Sequence, residues 1–247
     1  MRILLLNANT SEFVTQRVTV HARQAARPGT EIVAASASFG ARIIGTRTEL
    51  AIAEHATLDA LARHAPGCDA VVLAVSYDTA LNAAREMLDI PVVGITEAAI
   101  ATASMLGTRV GVIMFGPRVL ALYQENAMLR GQHTRIAGWR ALESSAPYGD
   151  GPQTEVDQMV VDAAHDLIDR DGCEAVVLAG AVMAGVPQRL QAHVPVPLLE
   201  GISCGVAHAE MLVHLACPKA TRGSLSRLPA RELVGVGEAL AARFGIA

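Results

Sequence analysis

One nine-residue stretch occurs almost twice in this chain. "GCDAVVLAV" (67–75) and "GCEAVVLAG" (172–180) differ at two positions and lie 105 residues apart. Both read as an unbroken apolar strand, the pattern of a strand buried on two faces in a parallel sheet. Two further pairs fall at nearly the same spacing. "RILLLNANT" (2–10) matches "RVGVIMFGP" (109–117), and "PVVGITEAA" (91–99) matches "PVPLLEGIS" (195–203) at a shift of 104. Three matches at nearly one offset point to internal duplication. The expected fold is therefore α/β, with two pseudo-symmetric lobes and a cleft between them. Each lobe is a short parallel sheet flanked by helices. Lobe one takes residues 1–96 plus 206–247, and lobe two takes 97–205. The competing reading is one large doubly wound sheet whose strands resemble each other by composition.

Local patterns agree with strand–helix alternation. Apolar runs at 3–6, 71–75, 110–115, 175–180 and 196–199 each lead into amphipathic sequence. Thr10 or Ser11 is suited to cap the first helix, and the helix after the third strand starts near Thr79. A helix over 155–170 carries Val156, Met159, Val160, Ala163, Ala164, Leu167 and Ile168 on one face, with Thr154 and Asp157 as a variant capping box. Residues 143–153 form a turn-rich loop in which Tyr148 is a candidate lid residue, and 217–229 is a linker before a last helix.

With 247 residues, 51% of them hydrophobic, the chain has ample material for its core. A net charge of −4 and only 3% aromatic residues argue against nucleic acid and anionic membrane as partners. No apolar run approaches a membrane span or a signal peptide, so a cytoplasmic protein is expected. Cys68, Cys173, Cys204 and Cys217 form no C-x-x-C pair and the histidines are scattered, so neither disulfides nor a metal site is expected.

Ligands of open α/β sheets bind beyond the carboxyl ends of the strands. Two facing lobes would bring together the polar groups that follow each strand. Ser76, Tyr77, Asp78 and Thr79 interrupt the buried run of the third strand. Ser76 offers a hydrogen bond to a substrate oxygen, against a helix-entry role. Tyr77 offers a phenol, against simple packing. Asp78 and Thr79 are cap formers whose helix start would also hold an anion. Asn7, Asn9 and Thr10 follow the first strand, where amides bind a carbonyl or form a turn. Gly180 and Ala181 leave space and exposed amides. Glu200 is a base if desolvated, and Cys204 sits near a helix start where thiol pKa falls. "GAVMAG" lacks the spacing of a dinucleotide fingerprint, so no cofactor is expected.

The set "NANT", "DAVVLAVSYDTALNAARE", "PVVGITEAA", "EAVVLAGAVMAG" and "VPLLEGISCGVAHAE" resembles the aspartate/glutamate racemase superfamily, most closely its hydantoin racemase branch. The resemblance covers nearly the whole chain in order. It implies a cofactor-free site between the lobes, acting at the carbon beside a carbonyl of a small amide, imide or carboxylate. It also implies one cysteine after each of the two equivalent strands, on opposite faces of the substrate carbon. Here those positions are Val75 (or Ser76 at a shift of one) and Gly180. Cys68 and Cys173 lie at the entry ends of the strands, roughly 20 Å from the exits. A racemase-like isomerase acting on a small molecule is expected. A cofactor-free decarboxylase or lyase, or a binding protein that has lost the thiols, is the alternative, and a homo-oligomer is left open.

Overall fold

The computed structural model of the chain describes residues 1–143 and 153–245. Eight strands alternate with helices. β1 (Arg2–Asn7), β2 (Glu31–Ser36), β3 (Ala70–Leu73) and β4 (Val92–Gly94) form one parallel sheet in the order β2-β1-β3-β4. β5 (Val110–Phe115), β6 (Ile136–Leu142), β7 (Ala175–Leu178) and β8 (Leu198–Glu200) form a second in the order β6-β5-β7-β8. The second sheet is the first advanced by four strands, which excludes a single continuous sheet.

Register makes the duplication exact to the residue over most of its length. Ile3 pairs with Ala70, and Val110 pairs with Ala175. Leu73 pairs with Gly94, and Leu178 pairs with Glu200. The third repeat therefore runs at a shift of 106, not 104. Pro91 corresponds to Pro197, and both carbonyls accept the same ladder bond, from the Val71 and Val176 amides. The sequence match at Pro195 was a neighbouring proline in the wrong phase.

The inner strands are the apolar runs of the sequence. Every residue of β3 and of β7 is buried. The edge strands β2 and β6 are only partly covered: β2 carries a short apolar run, Ile32 to Ala35, half of it alanine, and Gly138 and Arg140 interrupt the pattern in β6. α6 (Thr154–Asp171) begins one residue before the expected helix. Its cap position is Gln153, so Thr154 lies inside the first turn and makes no capping box. Val160, Ala163, Ala164 and Leu167 are its buried stripe. The loop with Tyr148 lies outside the described residues. No described helix is long and apolar enough to cross a membrane.

The helices α4 (Ile95–Leu106) and α8 (Gly201–Leu215) join the two sheets. Each follows the last strand of one sheet and packs on the other: α4 meets β7, and α8 meets β3. They also pack against each other, with Thr102 Oγ1 3.0 Å from His208 Nε2. Gly201 and Gly205 permit this approach. A Cβ at Gly201 would lie 2.8 Å from Ile95 Cβ and 2.9 Å from its carbonyl, and one at Gly205 would lie 3.0 Å from Val72 Cγ1.

Gly201→Ala tests the closeness of that crossing. In an open helix the change would stabilise. Here it overpacks against backbone, and a net loss of about 1–3 kcal/mol is expected from urea unfolding. A gain in stability would show that α4 and α8 are not so tightly apposed.

Candidate active site

β3 and β7 each continue by one residue, with Ala74 N–H bonded to the Leu6 carbonyl and Ala179 N–H to the Ile113 carbonyl. The chains then leave their sheets. Val75 and Gly180 are the matched exit positions, as the Leu73/Leu178 register requires. Val75 is buried among apolar neighbours and faces the core. Gly180 has φ +118°, a conformation that a side chain strains. A Cβ there would stand 3.6 Å from the Tyr123 hydroxyl and 3.9 Å from Ser76 Oγ. Two hydroxyls thus border the space beside Gly180. Ser76 comes from the turn after β3, and Tyr123 comes from α5 (Leu120–Leu129), the helix that follows β5.

Tyr123 and Tyr77 form an edge-to-face pair with centroids 4.9 Å apart. Burial raises both phenols above the ordinary tyrosine value, and for Tyr123 the neighbouring Tyr77 adds to the shift. Both therefore remain protonated at neutral pH and act as donors rather than bases.

Asp78 turns away from this meeting point. It has φ +49° and is buried. Its Oδ1 accepts from the Thr96 amide at 2.9 Å, and Oδ2 accepts from the Glu97 amide at 2.9 Å and Asn126 Nδ2 at 3.0 Å. It thereby caps α4 from a distance in sequence. Gly94 makes the room, because a Cβ there would lie 2.4 Å from Asp78 Cγ. Glu200, the register equivalent of Gly94, caps α8 with its own carboxylate, accepting from the Ile202 amide at 2.6 Å and the Ser203 amide at 2.7 Å. Two pseudo-equivalent helices are capped by carboxylates from different positions. Burial raises Asp78 to about 6, against the opposing effect of Asn126 and the two amides. Thr96 Oγ1 also donates to the Ser76 carbonyl, tying the turn to α4. Thr79 is buried, and its Oγ1 has no partner among the described residues.

The residues after β1 are mainly engaged with one another. Asn7 Nδ2 donates to Asn9 Oδ1 at 2.8 Å and Thr15 Oγ1 at 3.0 Å, and Asn7 Oδ1 accepts from the Asn9 amide. Asn9 Oδ1 also accepts from the Ser11 amide at 2.9 Å. Ser11 occupies the cap position of α1 (Glu12–Ala25) without a side-chain capping bond. The Thr10 amide is bonded to the Ala41 carbonyl. Asn7 and Asn9 thus build the turn that sequence reasoning set beside their binding role. Ala181 opens a buried 3-10 turn whose Met183 amide bonds back to the Gly180 carbonyl. Arg17 of α1 holds that turn from the other lobe, donating to the carbonyls of Val182 at 3.0 Å and Ala184 at 3.3 Å.

The pattern is reciprocal. α1, after β1, grips the turn that follows β7. α5, after β5, grips the turn that follows β3. Tyr123 and Asn126 were not expected from sequence, and only this reciprocity of the duplicated lobes would have pointed to α5. The thiols lie elsewhere. Burial raises Cys68 and Cys173 at the strand entries, and pushes Cys204 up to about 11, so its helix-start position does not activate it. Among the described residues no three His, Cys, Asp or Glu side chains are grouped to hold a metal ion. On the outer side of the turn, Tyr77, Asp78, Leu122, Asn126 and Arg130 help line a cavity of about 420 Å³.

Residues 3–209 match the family model described as Asp/Glu/Hydantoin racemase. A hydantoin racemase of Pseudomonas sp. (strain NS671) is 30% identical over 217 residues, covering 87% of each chain. The structure of allantoin racemase from Klebsiella pneumoniae superposes with a TM-score of 0.91 at 31% identity, covering 97% of this chain and 98% of the other. An allantoin racemase from Pseudomonas fluorescens gives 0.84 at 30% identity, with 95% and 100% covered.

Asp78 imposes a pH dependence on folding. Its folded value, about 6, lies above its ordinary value of 3.8. Between these values the folded chain keeps a proton that the unfolded chain has lost, so stability falls as pH rises. Urea unfolding is expected to show a decline on the order of 3 kcal/mol from about pH 4 to about pH 6, then no further change from this group. Asp78→Asn should flatten that interval. Parallel curves for the two proteins would assign the decline to other groups.

Proposed function

The chain belongs to the Asp/Glu/hydantoin racemase family, and from that premise we propose that it is a racemase-type enzyme working without a cofactor. It acts at the carbon beside a carbonyl in a small cyclic amide or imide of the hydantoin and allantoin kind. One observation supports this reading above the others: the Ser76 and Tyr123 hydroxyls converge beside Gly180, where the family resemblance places a thiol. The site has been refilled with donors and has not been left as a gap.

In this reading the substrate carbonyl oxygen accepts from Ser76 and Tyr123. Loss of the neighbouring C–H proton to hydroxide from solvent puts negative charge on that oxygen, solvent water returns a proton to the carbon, and donors already aimed at the oxygen hold the charge without reorganising. Tyr123, protonated at neutral pH, is suited to this role. The thiolate that removes a proton in the family is absent at both exit positions, so turnover is expected to be slow. Restoring a thiol at Gly180 would demand a side chain at φ +118°, a strained conformation, with its Cβ in van der Waals contact with the two hydroxyls. Four unpaired cysteines agree with a reducing, cytoplasmic location.

Deuterium uptake at the acidic carbon of hydantoins and allantoin in heavy water checks the reading. Slow catalysed exchange is expected from the native chain. Ser76→Ala should reduce it on the order of 10²-fold while changing stability by no more than about 1 kcal/mol. Tyr123→Phe should act in the same direction. Ligand binding with no exchange would make the chain a binding protein instead.

A further inference from the structure

We propose that Asp78 and Asn126 are a positioning pair that sets the Tyr123 hydroxyl against Ser76, an inference that rests on the reading of those hydroxyls as substrate donors. Ser76 and Asp78 are two residues apart in one turn of lobe one. Tyr123 and Asn126 are three apart on α5, which puts both on one helix face. The turn and the helix therefore meet at two rungs. At the inner rung the Tyr123 hydroxyl adjoins Ser76 beside Gly180. At the outer rung Asn126 Nδ2 donates to Asp78 Oδ2 at 3.0 Å.

The outer rung is the better anchored. Asp78 is held in turn by the Thr96 and Glu97 amides at the start of α4, and Thr96 Oγ1 holds the Ser76 carbonyl. Turn, α4 and α5 thus share one buried carboxylate. Removing the Asn126 amide frees α5 at that face and lets the phenol drift from Ser76. A displacement near 1 Å at a reacting group costs about 10²-fold in rate. Neither Asp78 nor Asn126 need touch the substrate.

The groups facing Asp78 come from every element packed around it. Glu97 lies next to it at the start of α4 and is paired with Arg85 of α3 (Leu81–Met87). Tyr77 adjoins it in the turn, and Tyr123, Glu125 and Arg130 come from α5 and its end. Glu54 approaches across the cavity from α2 (Arg47–His64).

The test compares Asn126→Ala, Asn126→Gln, Tyr123→Phe and the Asn126→Ala/Tyr123→Phe double variant of the full chain. Three quantities are read: deuterium uptake on hydantoin, urea unfolding and spectrophotometric phenol titration. Asn126→Ala should slow exchange about tenfold to a hundredfold, while the double variant should be no slower than Tyr123→Phe alone. Asn126→Gln, which keeps a donating amide, should retain more exchange than Asn126→Ala. Titration should show one phenol of Asn126→Ala shifted from its value in the native chain, and that change should vanish in the double variant. The acid limb of the exchange profile should move to higher pH in Asn126→Ala, because Asn126 favours ionised Asp78. Losses that add in full in the double variant would make Asn126 merely structural, and an unchanged phenol titration would overturn the proposal. If the native chain shows no exchange, the enzymatic reading fails, and the phenol titration still decides whether Asn126 places Tyr123.

Discussion

The buried carboxylate of Asp78 is the point on which the first strand-end turn depends. A carboxylate out of water is costly unless donors replace its hydration. Here three do: two amides that open α4 and the Asn126 side chain. The donors come from α4 and α5, and to their apolar packing, which has little directionality, the carboxylate adds directed bonds beside others such as Thr96 Oγ1 to the Ser76 carbonyl. The carboxylate converts that packing into a defined geometry. It also dictates its own surroundings. Gly94 must lack a side chain, and Asp78 must take a left-handed backbone, because the helix start and the turn converge on one small volume. The residual cost of burial is visible in the raised value of the group itself.

Duplication explains the wider architecture, and its imperfections explain the site. Exchange of α4 and α8 between the sheets makes one body of two lobes, since neither sheet is covered without a helix that begins in the other. The same exchange operates at the strand exits, where α1 and α5 each hold the opposite turn. The two halves diverge in how they close those turns. In lobe two, Glu200 caps its own helix and the turn above it is held through backbone carbonyls by Arg17. In lobe one, Gly94 cedes the capping task to Asp78, and α5 enters with side chains. The polar side chains gather on the lobe-one side, and the lobe-two side offers a glycine.

Much of this was legible in the sequence because it is written in local periodicity. The inner strands are continuous apolar runs, the α6 stripe has helical spacing, the repeat located the two strand exits, and the family resemblance marked them as thiol positions. What was not legible depends on contacts between distant segments. Edge strands β2 and β6 lack a clear pattern because half their surface faces out. Asp78 reads locally as a cap for the helix that follows it, yet it caps α4, which begins 17 residues later at Ile95. Glu200 reads as a candidate base, but its oxygens are taken by helix amides. Tyr123 and Asn126 lie in a helix with no distinct apolar face, and nothing in "LALYQENAML" tells which turn of the other lobe they will meet.

Two hydroxyls and no thiol border the strand exit at Gly180. A Cβ at 180 would make ordinary van der Waals contact with the Tyr123 and Ser76 hydroxyls, so it is the φ of +118°, and not lack of room, that calls for glycine there. Val75 is buried in the core, which leaves Ser76 as the nearest polar group at that exit. Thiols near neutrality can both take and return a proton. Buried phenols and an alcohol cannot take one readily, but they hold charge on an oxygen well. Under the proposed reading, the site favours stabilising an enolate-like oxygen over symmetric proton shuttling between two faces. That bias is a consequence of burial. The same apolar packing that fixes Tyr123 against Tyr77 raises both phenols and keeps them as donors.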